Sequence, residues 1–271
     1  MVIGTWILRF VWLLYLVSWL FGDIMKEKRW DVKTLEPFLS GRISNALGIS
    51  PWTSQLLINR GSQTLEEAEV FLKGNLSHLR SPYLLDGMEE ASKRVLEAIK
   101  NGEKILIYGD YDVDGITSTC LLILTLKQLG ANISYYLPHR VREGYGLNPE
   151  AIKKAESNGV NLIITCDCGM DGYNEVLMAK QKGIDTIIID HHKVGEKIPP
   201  ALAIINPKNC SYPFKELAGV GVVFKFAQVL QEKKHFDGLE QHLDLVALGT
   251  VSDVVPIVDE NRILVRYGLD A

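Results

Sequence analysis

The chain has 271 residues, 47% of them hydrophobic and 23% charged, which suits one or two globular domains. A formal net charge of −4 excludes a global basic field, so any nucleic-acid binding has to come from a local basic groove. The four cysteines, Cys120, Cys166, Cys168 and Cys210, lie mostly in apolar contexts, and the C-x-C at 166–168 has no second pair at zinc-ligand spacing. They read as reduced thiols of a cytosolic protein.

Residues 1–24 differ from the rest: Arg9 and Asp23 are the only charges around the apolar run FVWLLYLVSWLF. The stretch is long enough to span a membrane but lacks the basic start and cleavage site of a signal peptide. Met25 then opens the charged MKEKRWDVK, where a soluble enzyme could begin. The leader therefore reads first as an over-extended start and second as a membrane anchor. Residues 25–85 carry helical signals: a helix over Trp52 to Gly61, and a capping box at Thr64 and Glu67 ahead of a helix ending at Lys73-Gly74. Asp86 and Glu89 predict a second capping box, and Met88, Ala91, Val95, Ala98 and Ile99 share one face of the next helix.

From Lys104 onward, strand and helix patterns alternate, the signature of a doubly wound, mainly parallel α/β sheet flanked by helices. Strands are expected at Ile105–Tyr108, Ile133–Leu137, Leu162–Cys166, Thr186–Ile189 and Ala203–Ile205. Helices are expected over about Ile116–Leu129, Pro149–Ser157 with Asn148 as N-cap, Tyr173–Lys182, Gly219–Lys233 and His242–Leu248. A boundary near residue 85 thus separates a small helical N-terminal region from the α/β domain at 86–271.

The first strand runs into GDYDVDG, which puts Asp110, Asp112 and Asp114 on alternate positions of a glycine-flanked turn. Three carboxylates this close repel one another unless a cation sits among them. A calcium-binding EF-hand begins D-x-D-x-D-G, but its twelfth position, a bidentate Glu, is Leu121 here, and the preceding segment is strand rather than helix. Asp167 follows the third strand and Asp190 the fourth, so three acidic strand ends converge on the edge where open parallel sheets bind ligands. His191 and His192 add imidazole, and GTVSD supplies Asp253 at the end of an apolar helix. Carboxylates with one or two imidazoles suit Mn²⁺ and, less exclusively, Mg²⁺ or Zn²⁺. Two such ions activate water and clamp a phosphate.

GDYDVDG at 109–115, CDCG at 166–169, DHH at 190–192 and GTVSD at 249–253 together resemble the DHH phosphoesterase superfamily. PHRVREGYGL (138–147), INPK (205–208) and ELAGVGVVFK (216–225) resemble its single-strand-specific exonuclease branch, and the likeness runs from about Met25 to the last residue. The resemblance implies a pair of Mn²⁺ (or Mg²⁺) ions held by Asp112, Asp114, Asp167, His191 and Asp253, with Asp110 at or beside the metals. It implies that His192 contacts the scissile phosphate, with support of the metal site as its other reading. Asp190 is expected to orient a neighbouring histidine. Tyr108 stands where small-substrate relatives often carry a metal-binding His, so it either weakens one metal site or simply packs. His139, Arg140, Arg142 and Tyr145 form a loop with the phosphate-pairing and stacking groups that single-strand binding needs.

The implied activity is 5′→3′ exonuclease cleavage of single-stranded DNA in repair and recombination, by a metal-activated water and without a side-chain nucleophile. Single-stranded DNA is the expected partner, beside a single-strand-binding protein and a helicase, with the membrane a partner only if residues 1–24 are a genuine anchor. Alternatives are a phosphodiesterase acting on short oligonucleotides or cyclic dinucleotides, and a degenerate DHH scaffold protein of a replication complex. The scaffold reading is disfavoured because every motif acid is present. Members of the branch continue into a DHH-associated domain and an OB-fold that grip the strand, so the chain reads as a truncated form.

Overall fold

The computed structural model describes residues 33–271; the apolar leader and the Met25 start lie outside the described residues. Three helices, α1 (Pro37–Leu47), α2 (Pro51–Asn59) and α3 (Leu65–Lys73), close over a small core of Ile43, Leu57 and Ala68. The Thr64–Glu67 capping box at the start of α3 is present, each side chain satisfying the other's backbone N–H. Helix α4 (Met88–Lys100) differs from expectation. Its N-cap is Gly87 with no side-chain cap, not the Asp86 box. Gly87 takes φ 78°, and a Cβ there would lie 2.6 Å from the Ile204 carbonyl, so close approach to the sheet sets this helix start.

Five strands follow: β1 (Lys104–Tyr108), β2 (Asn132–Tyr136), β3 (Leu162–Cys166), β4 (Asp185–Ile189) and β5 (Ala203–Ile205). All are parallel, in the order β2-β1-β3-β4-β5. Leu137 falls outside β2. Between them run α5 (Val113–Gln128), α6 (Pro149–Ser157) and α7 (Tyr173–Gln181), and after β5 come α8 (Gly219–Lys234), α9 (Leu243–Ser252) and α10 (Asp259–Asp270). Helix α5 starts earlier than its apolar pattern suggests, because Asp112 caps it by accepting from the Gly115 amide at 2.9 Å. Helix α9 runs four residues further than expected, to Ser252.

Strand alternation divides the core. Ile105, Ile107, Ile164 and Ile187 face α4, α5, α8 and α9, while Leu106, Tyr108, Ile163 and Ile188 face α6 and α7. Chain order reverses between β1 and β3, so the switch point of the sheet lies between the ends of these two central strands. A polar knot around the buried Glu260 ties the segment between α3 and α4 to this body. Lys225 Nζ donates to Glu260 at 2.7 Å and to the Arg80 carbonyl at 2.8 Å, Tyr212 donates to Glu260 at 2.6 Å, and Arg80 pairs with Asp259 through two nitrogens. Among the described residues no helix is long and apolar enough to cross a membrane.

Candidate metal centre

Asp110 follows β1 and Asp167 follows β3, one on each side of the switch point. The turn after β1 is tight: a Cβ on Gly115 would lie 2.7 Å from the Asp110 Cα, and only glycine allows that crossing. Asp167 adopts the left-handed region at φ 61°, which turns its carboxylate back over the strand ends. Asp253 caps the C-terminal end of α9, where the helix presents negative carbonyls, a position that favours a cation over a second negative group.

These elements deliver their side chains to one point. His191 Nε2 lies 3.1 Å from Asp167 Oδ1, 3.6 Å from Asp253 Oδ2 and 3.7 Å from Asp114 Oδ2. Three overlapping groups have ligand atoms close enough to hold a cation: Asp167, His191 and His192; Asp114, His191 and Asp253; and Asp110, Asp112 and Asp167. Asp114 is shared with the scaffold, since its two oxygens accept from the Gly219 and Val220 amides at 2.7 and 2.9 Å, at the positive end of α8. Asp112 likewise commits one oxygen to the α5 cap.

Burial raises the carboxyl groups above their ordinary value at Asp110, Asp167, Asp253 and Asp114, and Asp114 reaches about 6. Neighbouring aspartates add to the rise at all four. Asp110 Oδ1, Asp167 Oδ1 and both ring nitrogens of His191 are buried without a hydrogen-bond partner. Buried acceptors left bare beside repelling carboxylates fit a bound hard or borderline cation, and the mixed oxygen and imidazole set suits Mn²⁺ or Mg²⁺.

A thermal prediction follows from these shifts. A carboxyl raised in the folded state stabilises fully below its unfolded value near 3.8 and loses that contribution as pH rises through the folded value, about 6 for Asp114. A cation binds the ionised form and acts in the opposite sense. Saturating Mn²⁺ should therefore raise Tm by about 5–10 °C near pH 7.5 and by clearly less near pH 5.5, with EDTA reversing both. Differential scanning fluorimetry at the two pH values checks this, and an equal or absent rise would count against a metal centre.

His192 sits at the mouth, its side chain 41% exposed. Its Nδ1 meets Asp190 Oδ1 at 2.8 Å, and this bond holds the imidazole pKa up at about 9. Asp190 is fully buried and also accepts from the Met170, His191 and His192 amides. Against burial, the hydrogen bond and charge of the His192 ring, helped by the His192 and Met170 amides, hold its carboxyl below the ordinary value. Tyr108 is buried against Tyr136 at a centroid distance of 5.3 Å, and its hydroxyl donates to the Gly146 carbonyl rather than facing the cluster. In the 139–147 loop, Tyr145 reaches His192, and the Arg140 guanidinium lies 5.2 Å over the Tyr111 ring, close enough to offset negative charge at Asp110. His139 instead accepts the Val141 amide, and no hydrogen bond or ion pair among the described residues links His139 or Arg142 to the clustered aspartates. Gly219 and Gly249 went unmarked among the expected site residues. A Cβ on either would collide with Asp167 Oδ1 at 2.7 Å or with Thr117 Oγ1 at 2.4 Å.

Residues 104–250 match the profile of the DHH family, N-terminal domain. The chain belongs to the DHH family. Within it, the chain is similar to the single-stranded-DNA-specific exonuclease RecJ of Bacillus subtilis (strain 168), 41% identical over 249 residues that cover 91% of this chain and 31% of that protein. RecJ of Escherichia coli (strain K12) is 40% identical over 235 residues, 82% of this chain and 40% of that protein. The crystal structure of RecJ in complex with Mn²⁺ from Thermus thermophilus superposes with a TM-score of 0.76 at 30% identity, over 89% of this chain and 34% of that one. The chain spans between 31% and 40% of the length of the two curated relatives just named.

Proposed function

We propose that this chain carries the phosphodiester-cleaving chemistry of a single-strand-specific DNA exonuclease that works 5′→3′ in repair and recombination. The observation that carries the reading is the cluster of buried, unpartnered carboxylate and imidazole atoms at the switch point of the sheet. Likeness to RecJ proteins, including one solved with Mn²⁺, supports the choice of substrate and ion. Asp110, Asp112, Asp114, Asp167, His191 and Asp253 would hold two divalent cations. Bound there, the cations supply Lewis-acid activation of water and neutralise phosphate charge.

The chain's own groups divide the remaining work. His192, held cationic by Asp190, places a positive donor at the mouth of the site, where it can pair with a phosphate oxygen. Arg140 brings a second positive group beside Asp110, and the exposed loop around it offers the local basic contact that the overall charge of −4 does not. No side chain need act as nucleophile. Incubation with Mn²⁺ and single strands labelled at the 5′ or the 3′ end, beside a duplex and a dinucleotide, tests the reading. Early loss of the 5′ label as mononucleotide is expected. Preference for the dinucleotide would move the assignment to a short-substrate phosphodiesterase, and inertness toward all four would overturn it.

A further inference from the structure

We propose that Tyr145 is a positioning residue: its hydroxyl fixes the His192 ring, and the 139–147 loop is the strap that brings it there. The Tyr145 hydroxyl lies 3.0 Å from His192 Nδ1, and the two rings meet edge to face at 5.5 Å and 67°. The same hydroxyl reaches the Asp167 carbonyl at 3.5 Å. His192 Nδ1–H is thereby shared between the Asp190 carboxylate and the Tyr145 oxygen, while the Tyr145 O–H can point to the Asp167 backbone. Nε2 is the ring nitrogen left to meet a ligand.

Asp190 alone sets one contact and leaves the ring free to tilt about it; Tyr145 supplies a second restraint, through its hydroxyl and its ring. Its loop is pinned at several points. Tyr108 donates from within the core to the Gly146 carbonyl at 2.9 Å, and Asn148 donates to the Tyr108 hydroxyl at 3.1 Å while capping α6. Glu143 accepts from Tyr136 and, at 2.8 Å, from the His139 amide. Gly144 and Gly146, both at positive φ, make the reversal that aims the Tyr145 side chain between them. A tyrosine whose ring and hydroxyl oxygen both meet His192 is placed to order the histidine rather than to stack on a base.

For its effect on rate, this inference rests on the phosphodiesterase reading above. Tyr145→Phe keeps the ring and removes only the hydroxyl. With Mn²⁺ and a single-strand substrate, kcat should fall about tenfold, the worth of one well-placed hydrogen bond, with KM within about twofold. Tyr108→Phe, which touches neither histidine nor substrate, should lower kcat in the same way, and the double variant should be little worse than Tyr145→Phe alone. Imidazole ¹⁵N–¹H spectra of the metal-free proteins give a readout independent of turnover: the His192 Nδ1–H signal should shift in Tyr145→Phe. A raised KM with unchanged kcat, or an unmoved His192 signal, overturns the proposal. An inactive wild-type protein would overturn the phosphodiesterase reading instead, and the spectra alone would then decide whether Tyr145 holds His192.

Discussion

Asp167→Asn should raise the melting temperature of the metal-free protein while abolishing Mn²⁺-dependent hydrolysis. Asp167 is buried, its carboxyl is raised well above the ordinary value first by burial and then by Asp114, Asp112 and Asp190, and its Oδ1 has no hydrogen-bond partner. Asparagine keeps the size and tolerates the left-handed backbone at φ 61° as well as aspartate does, so the substitution removes charge without adding strain. Without metal the repulsion disappears, which stabilises the fold. With metal a ligand common to two of the three candidate groups is lost, and several kcal/mol of charge stabilisation corresponds to a rate loss of about a thousandfold or more. Melting curves in EDTA and Mn²⁺, read beside a nuclease assay, check both halves. A variant less stable in EDTA yet active in Mn²⁺ would show that Asp167 serves the fold and not the cation.

The second large effect is expected at a residue with no side chain. Gly219→Ala would place a Cβ 2.7 Å from Asp167 Oδ1, 2.8 Å from its Cβ and 2.9 Å from its Cγ. Contacts that short force either Asp167 or the first turn of α8 to move. The first amides of α8 hold Asp114, so the one movement displaces Asp167 and the other displaces Asp114, each a candidate ligand. Alanine's better helix propensity returns at most about 1 kcal/mol, whereas overpacking costs about 1–3 kcal/mol, so the clash wins. Tm should fall by a few degrees, and a misplacement on the order of 1 Å should lower kcat about a hundredfold. Wild-type activity and Mn²⁺ response in Gly219→Ala would mean that the cluster yields more easily than its packing suggests.

The ends of β1, β3 and β4 were legible because each is a short apolar run leading into an acid, and the reversal of strand order between β1 and β3 then brings Asp110 and Asp167 together. Asn148-Pro149 marked the start of α6 because a side-chain cap followed by proline is a local signal, complete within a few residues. Asp86 misled because the true start of α4 depends on Gly87 meeting Ile204 across the sheet, a contact no local pattern contains. Helix α10 was not foreseen at all: its Glu260 and Asn261 are buried, Glu260 because Lys225, Tyr212 and Arg80 converge on it from distant segments. For the same reason Lys225, fully buried in the middle of α8, carries no sign of its partner in its own helix. In the site, side chains that bear charge announced themselves by type. The roles of Tyr108 and Gly219 follow from distances between elements, and these appear only once the chain is folded.

The central claim, that the carboxylates and His191 form a divalent-metal centre, is tested most directly by counting bound ions. Electron paramagnetic resonance of free Mn²⁺ during a titration of the metal-free protein measures the number of sites and their affinity. Saturable binding of about two Mn²⁺ per chain, lost or weakened in Asp167→Asn and competed by Mg²⁺, is the predicted result. Free Mn²⁺ that rises in step with the amount added, with no difference between the wild-type protein and Asp167→Asn, would contradict it.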